Sequence, residues 1–102
     1  VNTTLTELIM DDNEIGENGV RDIAEALKVN ETLVDIDLQH TTISKVAASY
    51  IVDALKVNTS LTSIELSGGW GHYIDDDDFV TIECLCQRNS QLQKYVIHAR
   101  IV

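Results

Sequence analysis

Most of the residues that could carry chemistry in this chain lie in one stretch, Ser67 to Phe79, which reads SGGWGHYIDDDDF. It holds the only Trp, three of the five Gly, one of the three His and four consecutive Asp. Clustered carboxylates suit a hard cation such as calcium, which takes oxygen ligands. Adjacent Asp side chains diverge, however, and the alternating D-x-D-x-D-G loop with its distant Glu is missing. The run Asp75–Asp78 is therefore read as a helix start, where carboxylates cap free N–H groups and complement the positive helix end. No metal and no cofactor is assigned. Cys84 and Cys86 stand two apart, and on a helix they point in different directions, which suggests neither a local disulfide nor a metal site. There is no nucleophile elbow, no Gly-rich phosphate loop and no histidine pair at metal-ligand spacing. The chain is read as non-enzymatic.

Charge narrows the partners. Seventeen acidic residues against seven basic ones give a net charge of −10 over 102 residues. That excludes a phosphate-backbone reader, which needs a basic surface, and disfavours anionic membranes. A protein with a basic surface is the simplest electrostatic complement. No apolar run approaches the roughly 18 residues of a membrane span, and no signal-peptide pattern is present. The first residue is Val1, so the chain is read as a piece of a longer protein. The cysteine usage suits a reduced, intracellular setting. Three glycosylation sequons, at Asn2, Asn30 and Asn58, point the other way, towards secretion. All three occupy one repeat position, which favours a structural origin for them.

That repeat organises everything else. Copies open at Asn2, Asn30, Asn58 and Asn89, at spacings of 28, 28 and 31 residues, and divide the chain into repeats 2–29, 30–57, 58–88 and a partial 89–102 within one domain. Each copy begins L-x-x-L-x-L: Leu5, Leu8, Met10; Leu33, Ile36, Leu38; Leu61, Ile64, Leu66; Leu92, Tyr95, Ile97. Alternation at the last two sites predicts a short strand with one buried face. A helical spacing follows, with Val20, Ile23, Ala24 and Leu27 on one face, matched by Ala48, Ile51, Val52 and Leu55. A strand and a helix in 28 residues cannot bury their own apolar faces, so the copies must stack. The expected fold is an α/β solenoid with parallel strands on the concave side and helices on the convex side.

These residues resemble the leucine-rich repeat family, specifically its ribonuclease-inhibitor-like class. The pattern L-x-x-L-x-L-x-x-N-x-I is clearest from Leu5 through Asn13 to Ile15. Thr41 and Arg100 replace the loop asparagine in the second and fourth copies. The resemblance implies a horseshoe whose concave strand face binds another protein. Within the class, the NTSL opening at Asn58 and the longer third repeat are similar to the tropomodulin carboxy-terminal domain, which implies capping of actin filament pointed ends. The terminal helix of such domains is not read in this sequence. A third reading is a structural segment that extends or caps a longer array.

The candidate surface follows from the strand alternation. Residues flanking the second and third apolar positions should line the concave face: Glu7, Ile9 and Asp11; Asp35, Asp37 and Gln39; Ser63, Glu65 and Ser67; Lys94, Val96 and His98. The first two and a half strands thus form an acidic stripe for a basic partner. The extra three residues of the third copy fall between Leu66 and Ile74, a core position matching Ile15 and Ile43. That widened loop carries Trp70, His72 and Tyr73, whose aromatic rings either fold back over the end of the core or make a partner contact. Phe79 aligns with Val20 and Ala48, and Cys86 aligns with Leu27 and Leu55 in the helix-side core.

Overall fold

The 28-residue phase of the sequence becomes the step of a parallel sheet. In the computed structural model, residues 4–10, 15–39, 43–66 and 76–101 are described, with the backbone alone for 76 and 95–101. Three strands, β1 (Glu7–Ile9), β2 (Asp35–Asp37) and β3 (Ser63–Glu65), alternate with three helices, α1 (Gly16–Leu27), α2 (Lys45–Val57) and α3 (Asp76–Ile101). The strands lie in the order β1-β2-β3. Glu7 pairs with Asp35 and Asp35 with Ser63, so each residue sits beside its repeat counterpart.

Strands β2 and β3 are held in place by the same loop bonding, repeated one copy on. Val34 and Asp35 donate their N–H groups to the Thr6 carbonyl, and Thr62 and Ser63 donate theirs to that of Val34. Chain entry into α1 passes through Gly16, whose φ of 66° suits a residue without a Cβ. Helix α2 starts on Ser44, whose hydroxyl accepts from the Ala47 N–H at 3.0 Å.

Between sheet and helices lies one apolar core. Ile36, Leu38 and Leu61 from the strand side meet Val20, Leu27, Ile51, Leu55 and Ile82 from the helices, all essentially without solvent contact. Burial at one repeat position depends on its neighbours: Leu5 is 41% exposed, whereas Leu33 and Leu61 are 5% and 0%. The end of the stack at β1 accordingly shows an apolar hollow of about 260 Å³, lined by Leu5, Leu8, Ile23, Leu27, Val29 and Leu33.

The expected fourth strand is corrected here. Residues 94–98 form no fourth strand, because α3 runs unbroken from Asp76 to Ile101. Its buried stripe, Ile82, Cys86 and Asn89, continues at helical spacing to Gln93. Asn89 and Gln93 donate from their side-chain amides to the carbonyls of Leu61 and Ser60, at 2.9 and 2.8 Å. The helix thereby satisfies loop carbonyls of the third repeat, and it supplies a long terminal helix that the sequence did not reveal. Phe79, counterpart of the buried Val20 and Ala48, is 41% exposed. The first turn of α3 therefore stands off the core that the equivalent turns of α1 and α2 enter.

Candidate interaction surface

Alternation along each strand sends one side chain into the core and its neighbours out of it. In β2, Ile36 is fully buried while Asp35 and Asp37 remain partly exposed. Glu7 and Ile9 are exposed on β1; on β3, Ser63 is partly exposed and Glu65 exposed. The parallel register sets Asp37 between Ile9 and Glu65, and Asp35 between Glu7 and Ser63. Four carboxylates therefore share one sheet face. Gln39 follows at the exit of β2, where its N–H donates to Asp37 Oδ1 at 2.9 Å.

The cations are elsewhere. All seven Lys and Arg residues lie on the helices or, for Lys28, at the end of one. The ion pairs among the described residues are Arg21–Asp22, Lys28–Glu25 and Lys56–Asp53, on the exposed sides of α1 and α2. No described ion pair involves Glu7, Asp35, Asp37 or Glu65. Like charges on neighbouring strands repel, and this face carries that cost without a counterion from the described part of the chain.

Of the other residues expected on the surface, Lys94, Val96 and His98 lie on α3 and not on a strand. Asp11, Ser67, Trp70, His72 and Tyr73 fall outside the described residues, as does Asp75. Cys86 is buried as expected and Cys84 exposed. The Cys86 thiol is pushed up from 9.0 to about 11 by burial and by the nearby Glu83 charge, against an opposing pull from Arg88.

Asn30 and Asn58, which open the second and third repeats, are built into the structure. Asn58, 2% exposed, accepts from the N–H groups of Ser60 and Leu61 and donates to the carbonyls of Leu27 and Asn30. A side-chain amide used in this way has no room for a glycan. Asn30 makes the matching turn, accepting from Thr32 and Leu33. The residue that sequence reasoning missed is Arg88. Its Nη2 donates to Leu55 and Asn58 carbonyls at 2.8 and 2.9 Å, the pair one repeat on from those that Asn58 holds. The signal was available: Val29 and Val57 occupy the equivalent positions, so an Arg there breaks the pattern.

Repeat-phased parallel strands backed by helices define a leucine-rich repeat fold. Residues 1–24 match the family model described as leucine-rich repeat. The fold is similar to that of a solved structure of leiomodin-1 actin-binding site 2. The TM-score is 0.77 at 19% sequence identity, covering 97% of this chain and 73% of that one. No curated protein matches the chain in sequence at a significant level. No described helix is long and apolar enough to cross a membrane.

Proposed function

We propose that this chain is a non-enzymatic, intracellular protein-binding module that takes its partner on the outer face of the sheet. One observation carries the reading: the strands hold Glu7, Asp35, Asp37 and Glu65, while every cation sits with the helices. A face of one sign steers an oppositely charged partner and fixes its orientation. Ile9, 59% exposed beside Asp37, adds an apolar contact. Trp70, His72 and Tyr73, which follow β3 in the sequence, are assigned to the same partner.

Actin is the first partner to test. The resemblance to tropomodulin carboxy-terminal domains and the likeness to an actin-binding site of leiomodin-1 converge on it. Co-sedimentation with filaments and a fluorescence titration with monomeric actin, each run with wild type and Asp35→Lys/Asp37→Lys, separate the two parts of the reading. Binding that falls at least about tenfold in the variant, equivalent to 1.4 kcal/mol, supports both. Equal binding by both proteins rejects the acidic face, and absence of binding by wild type rejects actin.

A second reading, a structural segment within a longer array, is favoured by the apolar hollow at β1. Another repeat seated there would bury Leu5 as Leu33 and Leu61 are buried.

A further inference from the structure

The opposite end of the sheet carries a different opportunity. No described strand lies beyond β3. The Glu65 carbonyl accepts from the Leu38 N–H, and the Ser63 N–H donates to Val34, so these groups face β2. Because successive residues of a strand turn their backbone groups to alternate edges, the Ile64 N–H and C=O face away from β2. The carbonyl of Thr62 and the N–H of Leu66 follow, as repeat counterparts of Val34 and Leu38, which bond β3. Beside this edge runs an open groove of about 400 Å³ between β3 and α3. Thr62, Ile64 and Glu65 line one wall and Glu83, Gln87 and Ser90 the other.

An exposed strand edge is a template for another chain, and proteins use it for peptide recognition. We propose that the β3 edge accepts an extended basic segment of a partner protein as a fourth parallel strand, held by main-chain hydrogen bonds and by Glu65 and Glu83. Of the cations on α3 near the groove, Arg88 is bound to Leu55, Asn58 and Asn89, and Lys94 lies one turn beyond Ser90, outside the residues that line it. A second copy of this chain is a poor occupant. Pairing β3 with β3 would bring two Glu65 and two Glu83 side chains together in proteins that each carry −10. The chain's own fourth copy is committed to α3. This inference is independent of which protein the outer face takes.

The fourth copy nevertheless supplies a probe, since residues 89–98 have the repeat's strand pattern together with Lys94. A fluorescein-labelled peptide of that sequence, titrated into the full chain by anisotropy, should bind saturably and weaken with salt. In the register of the existing strands, Lys94 and Val96 of the peptide would turn their amides to β3 and Tyr95 would turn its amide away. N-methylation at Lys94 or Val96 should abolish binding, whereas N-methylation at Tyr95 should be tolerated. Glu65→Lys/Glu83→Lys should weaken the peptide at least about tenfold with its melting temperature kept. Absence of binding, equal tolerance of all three methylations, or chain dimers that the peptide cannot compete away would each overturn the proposal. The methylated peptides leave the protein unaltered, so the test survives if the charge variant fails to fold.

Discussion

Arg88 stands to Leu55 as Asn58 stands to Leu27: each donates to that carbonyl at 2.8 Å, one repeat apart. In the earlier repeat the donor is an asparagine in a turn leading to a strand. In the later one it is a guanidinium on a helix that does not stop. Its Nη2 also donates to Asn89 Oδ1 at 2.9 Å, so the asparagine that would open a fourth turn is engaged within α3.

Replacing Arg88 by Val, the residue at the two equivalent positions, should leave the Leu55 and Asn58 carbonyls without this donor. Half-buried acceptors stripped of a charged donor cost about 1–3 kcal/mol. The melting temperature should fall by roughly 4–8 °C for each kcal/mol. Arg88→Lys should recover only part of that loss, because an ammonium lacks the planar fork. Circular dichroism at 222 nm, read with the melts, reports whether α3 shortens. An unchanged melt and spectrum would show that the guanidinium contacts contribute nothing.

Leu5 and Leu61 share a repeat position and differ in burial, 41% against 0% exposed. Leu61→Ala should cost about 2–5 kcal/mol, the range for an emptied core site. Leu5→Ala should cost under about 1 kcal/mol, as at a surface site. Urea denaturation of the two variants compares them directly. Equal losses would mean that the β1 end is covered in solution.

The two cysteines should be separable by reactivity. At pH 8 a disulfide-exchange reagent should titrate the exposed Cys84 alone in the native protein, and both thiols in denaturant. Cys86 holds its proton up to about 11, against 9.0 ordinarily. Its contribution to stability is present in full below pH 9.0 and is lost as pH rises through about 11. Rapid modification of both thiols in the native state would contradict the burial of Cys86.

The register of the sheet was legible in the sequence because the period is strict: Glu7, Asp35 and Ser63 are 28 apart and pair as such. The helix faces were legible for the same reason, since Val20, Ala24 and Leu27 recur as Ala48, Val52 and Leu55, all buried. The fourth copy was not. Leu92, Tyr95 and Ile97 fit a strand, but so short an apolar pattern fits a helix as well. What decides it is tertiary: Arg88, Asn89 and Gln93 each find carbonyl partners around thirty residues back in the chain. The acidic stripe was partly legible, because alternation locates Asp35 and Asp37 on the outer face of β2. It could not locate Lys94 or His98, which depended on the fourth strand.

Asn58, at the head of the third repeat, also sets how the stack should yield to force. Asn58 grips the Leu27 carbonyl at the end of the first repeat, the Asn30 carbonyl that opens the second, and two amides of its own turn. A load drawn on the β1 end would have to break that clasp as a unit before β2 could separate from β3. The fold should therefore give way in discrete steps, the Asn58 clasp opening before that of Arg88.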